Sequence, residues 1–294
     1  MKNPFGPLIT AMVTPFDEQG YLQLETAVEL AQKIGENGSD GIVLAGTTGE
    51  SPTLSKEEKL ELIHKVAGNT SGVHIIAGTG SNNTAESIKL TREAEKAGAD
   101  GIMLVAPYYN KPPQEGLYQH FKEIAGATSL PVMIYNIPGR TGVNVSPETV
   151  ISLSQVDNIV AVKDATKDLE QTAEICRRTG DDFALYSGDD SVTMPVLNVG
   201  GYGVVSVAGN LAGNKIKEII DMYHRGNNKE AVARFHEMVP LFKAMFWSTN
   251  PIPVKEALRL AGYRVGAPRL PLTEMPEESR EQLYRLLKGY NLID

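Results

Sequence analysis

Eight short apolar runs recur at spacings of about twenty to thirty-five residues, each followed by a turn and a segment of helical apolar spacing. They occupy 8–13, 41–45, 73–77, 101–106, 131–135, 159–163, 183–186 and 203–207. Most lack polar alternation, which suits strands covered on both faces, as in a parallel sheet. The intervening segments, 22–37, 56–66, 84–97, 115–127, 147–154, 168–178, 191–198 and 214–223, are long enough to return the chain for parallel pairing. Ser55 with Glu58 three residues on predicts a capping box, and Pro147 after Ser146 is a favoured helix start.

This repetition predicts an α/β fold, a closed (β/α)8 TIM barrel. A doubly wound open sheet is the alternative, but no G-x-G-x-x-G follows the first run, and a closed barrel leaves no sheet edge to protect. From Tyr223 on the pattern is helical only, over 229–246, 251–261 and 277–288, broken by Thr249-Asn250-Pro251 and Gly266-Ala267-Pro268. The expected organisation is a barrel over 1–224 and a C-terminal helical extension over 225–294 packed on it. Phe246 and Trp247 are expected to anchor that packing.

A net charge of -8 without any basic run argues against a nucleic-acid surface. Two early prolines, Pro4 and Pro7, interrupt any signal peptide, and no stretch of eighteen apolar residues exists, so no membrane contact and a cytoplasmic location are expected. The single cysteine, Cys176, excludes an intrachain disulfide and reads as a structural thiol. No H-x-H, H-E-x-x-H or acidic cluster has metal spacing, so no metal and no cofactor are expected.

In such a barrel the chemistry gathers where strands end. Lys163 closes the run from Ile159; among apolar neighbours its pKa would fall and its neutral amine could attack a carbonyl, unless its stem packs on the strand and its head reaches water. Gly46-Thr47-Thr48-Gly49-Glu50-Ser51-Pro52 is either an open turn whose N–H groups hold a small carboxylate or a connector capping the next helix. The turn from Gly78 to Thr84 carries no titratable group. Tyr135 would face the same mouth as Lys163, and Arg140 follows on a short loop, either forked onto a carboxylate or in a surface ion pair. Tyr108 and Tyr109 between prolines suit packing, an interface or proton relay. Asp189 and Asp190 read as helix caps. A lysine, a phenol, an anion-holding turn and an arginine at one mouth are equipment for forming an imine with an α-keto acid.

The stretches Gly46 to Ser51, Tyr135-Asn136-Ile137-Pro138-Gly139-Arg140-Thr141-Gly142 and Val162-Lys163-Asp164-Ala165 together resemble the dihydrodipicolinate synthase / N-acetylneuraminate lyase family over essentially the whole chain. Within it the pattern is similar to the synthase branch, because the lyase branch usually has a serine at the Thr47 position and lacks an arginine at that of Arg140. The resemblance implies condensation of pyruvate with L-aspartate 4-semialdehyde to 4-hydroxy-tetrahydrodipicolinate, toward lysine and diaminopimelate. It implies that Lys163 forms the imine, that the Thr47-Thr48 turn binds the pyruvate carboxylate, and that Arg140 receives the semialdehyde. Tyr135, Thr47 and Tyr109 would relay protons, Tyr109 coming from a neighbouring subunit of a homo-oligomer, a dimer or dimer of dimers. The Val205 carbonyl would face the site. A lysine-binding allosteric pocket would draw on Ser51, Pro52, Leu54, Asn82, Glu86 and Tyr108, although Lys56 and Lys59 stand where lysine-sensitive bacterial members commonly carry histidines. The alternatives are a pyruvate-dependent aldolase acting on a sugar-derived aldehyde and a catalytically silent pyruvate-binding paralogue.

Overall fold

The computed structural model describes residues 4–293. Eight parallel strands close in chain order, with β1 also pairing β8. They are β1 (Leu8–Ala11), β2 (Gly41–Leu44), β3 (His74–Gly78), β4 (Gly101–Val105), β5 (Val132–Asn136), β6 (Ile159–Asp164), β7 (Ala184–Ser187) and β8 (Gly203–Ser206). The helices around and after them are α1 (Leu24–Glu36), α2 (Lys56–Ala67), α3 (Thr84–Lys96), α4 (Gln114–Ala125), α5 (Pro138–Thr141), α6 (Pro147–Leu153), α7 (Leu169–Arg178), α8 (Thr193–Asn198), α9 (Gly209–His224), α10 (Asn228–Ala244), α11 (Ile252–Leu260) and α12 (Glu277–Gly289). The barrel is thus the one expected from the repeating runs. No helix among the described residues is long and apolar enough to cross a membrane.

Strand alternation sorts side chains into two layers. Ile9, Val43, Met133, Ala161 and Val205 fill the barrel interior, whereas Leu8, Leu44, Ile134 and Val162 face the helices in a second cluster. Residues of the C-terminal helices, such as Phe242, Leu258 and Leu287, join that second cluster. The Ser55 and Glu58 capping box is present, and Ser146 caps α6.

Four local expectations change. Phe246 and Trp247 are 41% and 46% exposed, because they follow the end of α10, whose core side is taken by Phe242, Ala244 and Met245. The expected helix 191–198 begins as a 3-10 turn, Asp190–Val192. Asp189 does cap it, accepting from the Ser191 amide at 2.8 Å. Asp190 does not: its buried carboxylate reaches β8 and accepts from the Val207 and Ala208 amides at 2.9 and 3.1 Å and from the Ser206 hydroxyl. Finally, Arg140 sits on the one-turn helix α5 instead of a plain loop.

Candidate active site

The turn after β2 is held from several sides. Ala45 and Glu50 at its two ends take left-handed backbone, φ 51° and 54°, a conformation that costs a residue with a side chain on the order of 1–3 kcal/mol. Glu50 N donates to Thr47 O at 3.1 Å and Ser51 N to Gly46 O at 3.2 Å. Thr14 Oγ1 donates to Gly49 O at 2.7 Å. The Glu50 carboxylate, buried, accepts from Lys255 Nζ at 2.7 Å and from the Arg269 amide at 2.8 Å. Thr48 Oγ1 accepts from Asn250 Nδ2 at 2.9 Å. On the β3 side only a glycine fits, since a Cβ on Gly78 would lie 2.5 Å from the Ala45 carbonyl oxygen.

Tyr135 and Lys163 stand opposite each other on β5 and β6 because of a register shift. Val132 pairs with Ile159, but Met133 pairs with Ala161, so β6 carries one extra residue there. With the original offset Tyr135 would meet Val162, and Lys163 would fall on the other face. The shift places Lys163 inward, with Nζ 4.0 Å from the centroid of the Tyr135 ring.

Lys163 is 5% exposed and has no ion-pair partner among the described residues. Burial pulls its pKa down to about 7; Asp190 pushes it up and Arg140 pushes it down. A substantial share of the amine is therefore neutral near pH 7, where an ordinary lysine with pKa ~10.4 is neutral in fewer than roughly one molecule in a thousand. Burial raises the Tyr135 phenol to about 12, opposed by its hydrogen bond with Thr47. That phenol stays protonated and can pass a proton along the bond. Asp190 is raised to about 6 by burial, against its bonds from Ser206, Ala208 and Val207.

A cavity of about 490 Å³ is lined by Thr47, Tyr135 and Arg140 together with Ser51, Pro52, Leu54, Glu86 and Tyr108. Lys56 and Lys59 line it too, so neither simply points into solvent. Lys56 is paired to Glu93 at 2.6 Å, and burial lowers the pKa of Lys59. Arg140 Nη2 donates to the Asn250 carbonyl at 3.1 Å. Asn82 does not line the cavity; its Nδ2 donates to Tyr108 O at 3.2 Å and its carbonyl accepts from Asn110.

Lys163, Thr48, Val205 and Tyr109 do not line this cavity either. Val205 is buried inside the barrel on β8, paired in register with Ile9. Tyr109 is 90% exposed. It and Lys111 take left-handed backbone, φ 75° and 45°, in a loop tied by Tyr109 N to Thr141 O at 3.2 Å. Cys176 is half-buried and its thiol is pushed up to about 11 by burial, which leaves it no nucleophilic role. Among the described residues no group of three or more His, Cys, Asp or Glu could hold a metal ion. The residues not expected from sequence are Asn250 and Lys255, which reach the turn from the C-terminal helices; Thr249-Asn250-Pro251 signals only a helix break.

A buried lysine with a lowered pKa beside a phenol at the carboxyl ends of a (β/α)8 barrel is the equipment of a lysine-dependent carbonyl enzyme. The model of the dihydrodipicolinate synthetase family matches residues 4–290, and the chain belongs to that family. It is 52% identical over 294 residues to the 4-hydroxy-tetrahydrodipicolinate synthase of Desulforudis audaxviator, covering 100% of both chains. A dihydrodipicolinate synthase structure from Cyanidioschyzon merolae with lysine bound superposes with a TM-score of 0.97 at 48% identity, covering 99% of this chain and 100% of that one. A monomeric dihydrodipicolinate synthase variant superposes at 0.95 and 41% identity, covering 98% of each.

Proposed function

We propose that this chain condenses pyruvate with L-aspartate 4-semialdehyde, giving 4-hydroxy-tetrahydrodipicolinate on the route to diaminopimelate and lysine. The observation that carries the mechanism is the unpaired, desolvated Lys163 in register with Tyr135. Its neutral amine adds to the pyruvate ketone, and loss of one water leaves an imine. The Thr47-Thr48 turn holds the pyruvate carboxylate, and Tyr135 with Thr47 moves protons to and from the adduct. Removing a methyl proton turns the imine into an enamine, whose carbon attacks the aldehyde. The amino group of the semialdehyde then attacks the imine carbon, closing the ring and releasing Lys163. Arg140 receives the semialdehyde carboxylate.

Tyr109 completes the relay from a second copy, so the chain works as a homo-oligomer of at least a dimer. Its 90% exposure on a loop with two left-handed residues supports a role outside its own protomer. Borohydride added with pyruvate is expected to fix a mass adduct on the peptide containing Lys163. An adduct elsewhere, or none, would sink the mechanism, and faster turnover with N-acetylmannosamine than with the semialdehyde would reassign the second substrate.

A further inference from the structure

Asn250 lies between α10 and α11 and is 6% exposed. Its Nδ2 donates to Thr48 Oγ1 at 2.9 Å, and its main-chain carbonyl accepts from Arg140 Nη2 at 3.1 Å. One residue of the C-terminal segment therefore touches both groups assigned above to the two substrate carboxylates. Five residues on, Lys255 grips Glu50 at the far end of the same turn. No direct hydrogen bond joins Thr48 to Arg140 among the described residues. The amide is also poorly explained by stability, because its Oδ1 is buried with no hydrogen-bond partner. A buried acceptor left unpaired is unfavourable, and an apolar side chain would remove that defect together with the bond to Thr48.

We propose that Asn250 is a positioning residue which ties the Thr47-Thr48 turn to Arg140, so that the holders of the two carboxylates act as one rigid unit. The enamine carbon and the aldehyde carbon join only when both substrates are held at the right separation. The side-chain bond fixes Asn250 on the turn; the carbonyl then fixes the guanidinium. This inference rests on the functional reading above.

Asn250→Ala keeps the carbonyl but frees it from the turn. At saturating pyruvate the semialdehyde KM is expected to rise roughly tenfold, with the melting temperature unchanged or higher. Thr48→Val cuts the same bond from the other side and is expected to raise the semialdehyde KM severalfold, although Thr48 makes no bond to Arg140. The double variant should be no worse than Asn250→Ala alone, since both remove one link. An unmoved semialdehyde KM in either variant, effects that multiply in the double variant, or a lowered melting temperature with unchanged KM values would overturn the proposal. Borohydride trapping of pyruvate on the unaltered chain separates the two readings. No adduct at Lys163 removes the functional reading and this inference with it, whereas a normal adduct with an unmoved KM removes this inference alone.

Discussion

Among the described residues two lysines are almost fully buried, and they are prepared for opposite work. Lys163 at the barrel mouth and Lys255 on α11 are 5% and 1% exposed, and each ammonium lies over an aromatic ring, Tyr135 at 4.0 Å and Phe16 at 4.3 Å. Burial lowers both, Lys163 to about 7 and Lys255 to about 8. The difference is the partner. Lys255 Nζ donates to Glu50 at 2.7 Å and to the Ala267 carbonyl at 3.1 Å, so the charged form is held and the group acts as a bolt. Lys163 has only the more distant influence of Asp190 against its desolvation, and the neutral amine becomes accessible near pH 7. Burial by itself does not make a nucleophile; burial without a bonded carboxylate does.

Substitution should separate the two most sharply. Lys163→Met is expected to abolish turnover and pyruvate trapping while leaving thermal stability intact or improved, because it removes an unpaired buried amine. Lys255→Met should do the reverse to stability, with a loss of about 3–5 kcal/mol in denaturant unfolding, since Glu50 is left charged and buried. Combining it with Glu50→Gln should restore a large part of that loss. Equal destabilisation by both methionines would break the comparison.

Arg140→Ala is expected to leave imine formation largely intact and to raise the semialdehyde KM, with a transition-state loss of roughly 2–5 kcal/mol. Equal damage to pyruvate binding, measured by trapping at graded pyruvate, would remove the assignment of Arg140 to the second substrate. The pH dependence sharpens the contrast further. Only neutral Lys163 attacks, so the initial trapping rate should rise with pH through a midpoint near 7. Arg140 depresses the Lys163 pKa and Asp190 raises it, so Arg140→Ala should move the midpoint up and Asp190→Asn should move it down. A midpoint near that of a solvent lysine would mean that the mouth does not desolvate Lys163.

The smallest effect concerns lysine as an effector in the cavity lined by Ser51, Leu54, Glu86 and Tyr108. Glu93 offsets the charge of Lys56, which leaves Lys59 as the cation opposing a cationic ligand, by about 1 kcal/mol when partly screened. Weak or absent inhibition is expected. Half-inhibition below about a millimolar, worth roughly 4 kcal/mol of binding, would show that the pocket takes lysine despite it.

Much of this arrangement is legible in the chain because its signals are local. Apolar runs and turns mark all eight strands, the Ser55 and Glu58 pair marks the start of α2, and Lys163 at the end of a run marks a candidate nucleophile. Strand limits differ by a residue or two, as for β3, where the apolar run does not distinguish Val73 from Gly78. Asp190 is the instructive failure. Its place before a helix suggests a cap, yet folding brings the Val207 and Ala208 amides to it, and two donors from another loop outcompete the local one.

The sequence by itself determined the repeating β/α order, hence the barrel, and which residue types stand at the strand ends, because periodicity, caps and turn residues act over a few positions. The tertiary structure decided whether those residues meet. A single-residue shift between β5 and β6 turns Lys163 inward opposite Tyr135, and closure brings Asn250 to Thr48 and Lys255 to Glu50 across more than two hundred residues. Such contacts leave no periodic trace in the chain, since they depend on how whole elements pack, and that packing makes one buried lysine a reactant and the other a fastening.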